Sequence, residues 1–383
     1  MYKEVINQKQ AVVLMTTFII GTNTILGIGG NSKQDIWIAV LFAMVAAGII
    51  MAVYARIIKL YPEKDLFEIL DVLFGKVIGR ILTLMFVFFS FHIGACIVKN
   101  MSEFMRIISL DATPVCIIAL VTGIVITYAI KSGIESMGRT MSIIFPIWVT
   151  GTLFLSLLSL SQYDVNRLKP VLYDGLGPVL TDSFSIFALP FAETVAFLGI
   201  AGCFQKKSSP YKIYFYSLLL GGIFLFTFVL RTIMMLGTEN ITIQMFPPYV
   251  IARIIKLGDF IERIEIISAV LIISCSFTKA TVFMFSMTKG IAHFFSIKDY
   301  HRIAAPLVLL TSIYSMPLNI SAIDMLDWAQ NIFPIYALPF QVVLPVITWI
   351  AAEIKSRKDK NATGKQGGGA PGNAAPCPQN QDM

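Results

Sequence analysis

Charge is scarce in this sequence. Only 14% of its 383 residues are Asp, Glu, Lys or Arg, against about a quarter in ordinary globular domains, and no long polar stretch is left from which a separate soluble domain could be built. Cysteine is sparse as well. Cys96, Cys116, Cys203, Cys275 and Cys377 fall on different apolar segments or in the tail, with no metal-ligand spacing. This excludes a disulfide framework and a zinc site, and leaves them as small packing residues. Also absent are HExxH, GxSxG, a phosphate-binding loop and a Gly-rich dinucleotide turn, so nothing marks an enzyme, a cofactor or a metal.

What is present is apolar. Hydrophobic side chains make up 56% of the chain and the mean hydropathy is +0.76, which reads as an all-α integral membrane protein, since about 20 apolar residues cross a bilayer as a helix. About ten spans are expected: Ala11 to Gly30, Ile36 to Arg56, Ile78 to Arg106, Thr113 to Ile130, Met141 to Leu160, Thr181 to Gly202, Tyr211 to Leu236, Ile261 to Met287, Ile303 to Ile320 and Asn331 to Ala352. The first, behind Lys3 and Lys9, could pass for a signal peptide, but its apolar character resumes through Leu26 without a clean small-residue cleavage site, so it reads as retained. Of the 30 Lys and Arg residues, 20 fall on one side of these spans and eight on the other. The positive-inside rule then places both termini in the cytoplasm. The net charge of +7 reflects that topology rather than nucleic-acid binding. From Lys355 the composition turns to Gly, Pro, Ala and Gln, so residues 355–383 are expected to be a disordered cytoplasmic tail behind a transmembrane domain of residues 1–354.

Two spans are interrupted. In the first, Gly21, Thr22, Asn23 and Thr24 break a run of Leu, Ile and Val; in the sixth, "FALPFAETVAF" carries Leu189, Pro190, Phe191 and Glu193. Spans one and six are corresponding members of two five-helix halves, about residues 8–160 and 178–352, related by an axis in the membrane plane. Discontinuous helices in such inverted repeats place a substrate site at the midplane, where half-helix N-termini favour anions and unwound carbonyls favour cations. That combination suits an amino acid. The competing reading is that Gly and Pro are simply common in membrane helices.

Glu193 and Lys279 stand nearest the middle of their spans. An intramembrane charge costs about 2.5–3.5 kcal/mol on insertion scales, so a direct pair is the hypothesis, with separate solvation as the alternative. Ser276 shares a helical face with Lys279, and its hydroxyl can satisfy an ammonium. On the third span His92, Cys96, Lys99 and Glu103 share a face. His92 and Cys96 are candidate ligand contacts, although His92 reads more readily as a hydrogen-bonded core residue, while Lys99, Glu103 and Arg106 read as a solvated cluster. His293 and His301 read as surface residues.

The segments "IIGTNTIL", "LYPEKDLFEILDVLFGKVIGR", "KSGIESMGR", "RLKPVLYDGLGPVL", "ALPFAETVAFL", "FPPYVIARIIKLGDFIERIE" and "SFTKATVFMFSMTKGIAHFFSIKDY", in this order across residues 5–355, resemble the permease-like B subunit of spore germinant receptors, a branch of the amino acid, polyamine and organocation superfamily. The resemblance implies a LeuT-type 5+5 fold with broken helices 1 and 6, residence in the spore inner membrane, and work with a membrane-bound A subunit and a lipoprotein C subunit in sensing a small germinant. It implies site roles for the break at Gly21 to Thr24, for Pro190 and Glu193, and for Lys279. Where relatives often carry Gly-x-Gly, this chain has Gly21, Thr22, Asn23. Proton-coupled relatives carry a lysine in the fifth helix in place of a sodium ion; Met141 to Leu160 has none, and Lys279 is the candidate substitute. A secondary amino acid transporter of the same superfamily and a passive channel are the alternatives, with an intramembrane hydrolase last.

Overall fold

The computed structural model of the chain describes residues 4–21, 30–238, 246–254, 265–318 and 322–366. The expected break at Thr22, Asn23 and Thr24 therefore lies outside the described residues. Within them the chain is helical, and strand pairing is confined to one isolated parallel bridge between Ile6 and Phe204.

In chain order the helices are α1 (Gln8–Gly21), α2 (Ile36–Leu60), α3 (Leu66–Ile108), α4 (Val115–Lys131), α5 (Gly133–Leu158), α6 (Leu176–Ile186), α7 (Pro210–Leu236), α8 (Pro247–Ile254), α9 (Glu265–Phe294), α10 (His301–Tyr314), α11 (Ala322–Asp327), α12 (Phe333–Leu338) and α13 (Leu344–Gln366). Local chemistry sets several of these boundaries. Pro210 opens α7 at a position where its missing N–H is not needed, and Gly237, at φ 72°, closes it. Gly75, at φ 78°, divides α3 into a short leading segment and a long span.

Among the described residues seven stretches are long and apolar enough to cross a membrane: Lys33–Leu60, Leu66–Ile108, Gly133–Leu158, Leu176–Cys203, Pro210–Leu236, Glu265–Phe294 and Asp324–Asp359. The expectation was about ten. The remaining helices are shorter: α1 has 14 residues up to the edge of the described segment, α4 has 17 and α10 has 14, and 14 residues rise only about 21 Å. Large apolar side chains face outward along the bundle, with Ile49, Val77, Ile143 and Ile335 each 70% exposed or more. In water such a belt would drive aggregation; against lipid tails it is neutral.

Helix α9 forms the axis of the packing, lying against α3, α1 and the second half of the sixth span. It approaches α3 closely because Gly290 has no side chain. A Cβ there would fall 2.9 Å from Phe67 Cζ, inside any real carbon contact.

Three sequence expectations change. The last helix does not stop at Lys355 but runs to Gln366, because a single Gly364 costs only about 1 kcal/mol within a helix, whereas three glycines in a row begin at Gly367. The two histidines are not plain surface residues: His293 is part of α9 with Nε2 2.9 Å from Asp71, and His301 lies 2.8 Å from Asp299 and 3.5 Å from Glu4. Lys99 is buried rather than solvated, 3.2 Å from Glu103, and only Arg106 of that cluster keeps substantial exposure.

Candidate functional site

The sixth span breaks where the sequence places its proline. A pyrrolidine ring removes one N–H and drives the preceding residue out of the helical region; Leu189 accordingly sits at φ −128°, ψ 107° inside a wide turn from Phe187 to Phe191. The chain then continues as a 3-10 helix, Ala192–Cys203. Backbone groups freed by the break find side-chain partners on distant helices. Gln341 Nε2 donates to Ala188 O at 3.1 Å, and the Tyr54 hydroxyl lies 3.2 Å from Ala192 O and 2.5 Å from Gln341 O. Without them, unpaired backbone polar groups would be stranded in an apolar interior.

A 3-10 helix repeats every three residues, so Glu193, Ala196, Gly199 and Gly202 form one narrow stripe. At Glu193 and Gly199 the stripe faces α9, and at Gly202 it meets Asp65 just ahead of α3. At its start Lys279 Nζ donates to Glu193 Oε2, with Lys279 fully buried and Glu193 1% exposed. The ammonium also lies 5.3 Å from the centre of the Phe18 ring in α1, a cation–π distance. One turn earlier on α9, Ser276 Oγ donates to Gly21 O at 3.0 Å. Gly21 is required for this approach, since a Cβ would fall 2.9 Å from Cys275 O and 3.1 Å from Lys279 Cβ. Thus α1, the broken sixth span and α9 converge on one buried ion pair. Removing two charges from water is repaid only by close geometry and further hydrogen bonds.

Beside the pair lies a narrow cleft of about 10 Å³. One wall is Ile93, Cys96, Ile97 and Asn100 of α3; Leu189 and Glu193 form the floor; Met325, Trp328, Ala329 and Phe333 close it. The lining is apolar and aromatic with few polar groups, as small-molecule sites usually are. Asn100 is 5% exposed and its Oδ1 has no partner among the described residues.

Of the residues singled out from sequence, Cys96, Leu189 and Glu193 line the cleft, and Lys279, Ser276 and Gly21 stand behind Glu193. Pro190 and Phe191 are buried and shape the break without lining the cleft. His92 is also outside it: its Nδ1 is 3.2 Å from the Tyr314 hydroxyl and its ring stacks on Phe88. Sequence reasoning missed Asn100, Tyr54 and Gln341. Each is a polar group in an apolar run, and Gln341, between Pro339 and Pro345, carried the clearest signal.

This helical bundle with an interrupted span resembles known structures in its fold. The fold matches MhsT in complex with L-phenylalanine at a TM-score of 0.67, with 14% identity over 92% of this chain and 99% of that one. It matches Mhp1, a nucleobase-cation-symport-1 family transporter in a closed conformation with bromovinylhydantoin bound, at 0.66, with 11% identity over 90% and 78%. These are LeuT-fold transporters, and at such identities they speak for the fold alone. Residues 5–323 match the sequence model of the spore germination protein family, the spore permeases. The chain belongs to that family. It is 25% identical to spore germination protein KB of Bacillus subtilis (strain 168) over 96% of this chain and 99% of the relative, and 24% identical to spore germination protein YndE of the same organism over 86% and 90%. The protein is thus an integral membrane protein of a germination-related, permease-like family and not of an enzyme family.

Proposed function

We propose that this chain is the germinant-sensing membrane subunit of a spore germinant receptor, which binds a small ligand, an amino acid, between broken helices 1 and 6 and signals to partner A and C subunits to start germination. On this reading the spans form two inverted halves of five, and the chain sits in the spore inner membrane with both termini cytoplasmic. The observation that carries it is Glu193, a buried carboxylate at the interrupted span that lines an apolar cleft while its other face holds Lys279. A ligand ammonium would meet the Glu193 carboxylate from the cleft side, with Asn100 Oδ1 as a second acceptor. The ligand's carboxylate would meet backbone donors at Thr22, Asn23 and Thr24.

The space admits about one water, whereas an amino acid needs far more. Binding therefore requires the α11–α12 wall carrying Trp328 and Phe333 to move away from α3. A ligand that prefers the parted arrangement a hundredfold shifts the equilibrium by about 2.7 kcal/mol, and that shift is the signal.

The test is a thermal-shift screen of amino acids, sugars and nucleosides on the purified protein, followed by Glu193→Gln. The variant is expected to melt lower than the wild type, since Lys279 loses its counter-charge, and while still folded to bind the hit at least about tenfold more weakly; unchanged affinity would refute the site. Replacing sodium by potassium throughout the screen is expected to leave the shifts unaltered, because Lys279 already supplies a fixed positive charge beside α1. A sodium requirement would contradict that role. The second reading, a transporter for amino acids, is favoured by the likeness to MhsT with L-phenylalanine. Uptake of labelled ligand into liposomes by the lone protein would support it over the receptor.

A further inference from the structure

A second buried charge lies elsewhere in the bundle. Arg231 falls five residues before the end of α7 and is 6% exposed. Its Nη1 donates to Ser156 Oγ at a long 3.4 Å, its guanidinium lies 5.6 Å from the Phe228 ring centre, and its buried Nε has no hydrogen-bond partner among the described residues. Among the described residues no carboxylate pairs with it. A guanidinium is always charged and carries five donors, so isolation of this kind is costly unless something anionic compensates it.

The residue lines a cavity between α1, α5, α7, α8 and α9 with about 40 Å³ of space open to water-sized groups. At roughly 10–15 Å³ per water on that measure, it holds about three waters, or a small ion with part of its shell. The other polar groups on its walls are donors or hydroxyls. Trp148, 5% exposed, has an Nε1–H without a partner among the described residues, and Thr152 and Ser268 add their hydroxyls. Among the described residues no acidic side chain lines the space. A chamber with a permanent cation, a second unsatisfied donor and no carboxylate is complementary to an anion, and its volume limits that anion to a small one. It shares no lining residue with the cleft at Glu193, yet Ile20 on its wall precedes Gly21.

We propose that this cavity binds a small monovalent anion, chloride or a carboxylate group of similar size, held by Arg231 with Trp148 as the second donor. The anion neutralises the guanidinium and fills the space behind the last described turn of α1.

The test uses the purified full chain in gluconate buffer of fixed ionic strength, titrated with labelled chloride and, in a parallel arm, labelled formate. One saturable site per chain is expected. Arg231→Met should abolish binding, and Trp148→Phe, which deletes one N–H and keeps the ring packing, should weaken it about tenfold. Melting provides a second reading: the wild type should gain stability as chloride replaces gluconate while Arg231→Met should not, and in gluconate alone Arg231→Met should melt at least as high as the wild type. Saturation by chloride assigns the site to a solution halide; saturation by formate alone assigns it to a carboxylate group. Failure of the wild type to bind either anion, or equal binding by wild type and Arg231→Met, overturns the proposal.

Discussion

Replacing Lys279 by methionine is expected to destabilise the purified protein by about 3–5 kcal/mol, the range for removing one partner of a buried ion pair, and adding Glu193→Leu to the same chain is expected to recover most of that loss. The reasoning is asymmetric. Lys279 is fully buried and Glu193 nearly so. Removing one leaves the other charged and unpaired in an apolar interior, whereas removing both exchanges two costly groups for two apolar ones of similar length, which is often neutral or favourable. Stability and response should then separate. Spores carrying the double variant are expected to hold a well-folded protein that no longer answers germinant, because the carboxylate offered to the cleft is gone. Thermal unfolding of the wild type and the two variants together with germination of the corresponding spores checks both halves. If Lys279→Met melts with the wild type, the pair contributes nothing; if the double variant germinates normally, Glu193 is not the ligand's partner.

The sequence made these two residues legible because charge and proline are expensive in an apolar run, so each stood out against its neighbours. The break at Leu189 followed directly from Pro190. What could not be read was who satisfies the break. Tyr54 and Gln341 come from α2 and the last span, 138 and 153 residues away from the carbonyls they meet, and no local pattern joins them. Arg231 escaped for a different reason: near the end of a predicted span it reads as an interfacial arginine whose head reaches solvent, and only packing shows it enclosed. His293 and His301 likewise read as surface residues, since residues at the end of a span do not reveal their partners. The 3-10 winding of Ala192–Cys203, which aligns Glu193 with Gly199 and Gly202, had no sequence signal that distinguishes it from an α-helix.

Asp65→Asn is expected to raise the rate at which Cys203 reacts with a maleimide by at least about tenfold. At the end of the bundle opposite the Leu176 start of the sixth span, Asp65 Oδ1 accepts from Gly202 N at 2.6 Å and Oδ2 accepts from Lys289 Nζ at 2.7 Å. Lys289 also lies 3.3 Å from Cys203 Sγ. The chain start is tied to the same place: Ile6 N donates to Cys203 O at 2.9 Å, Gln205 N donates to Ile6 O at 3.0 Å, and Glu4 accepts from Ile134 N and from the Tyr300 hydroxyl. Cys203 is 5% exposed behind this latch, so its reactivity reports opening. Asparagine keeps the shape and one acceptor but removes the charge that holds Lys289; a charge-assisted bond contributes about 1.5–3 kcal/mol, which corresponds to roughly 10- to 150-fold in an opening equilibrium. A freed lysine next to a thiol also favours the reactive thiolate, so Lys289→Met is the necessary companion. It breaks the same latch without leaving a cation, and it too should accelerate labelling, with Cys116 and Cys377 replaced by serine in every variant. Acceleration in Asp65→Asn alone would assign the effect to the thiolate and sink the latch. Gly202 and Glu193 stand nine residues apart on one 3-10 helix, a rise of about 18 Å. A ligand that turns this helix at Glu193 therefore turns it at the latch as well.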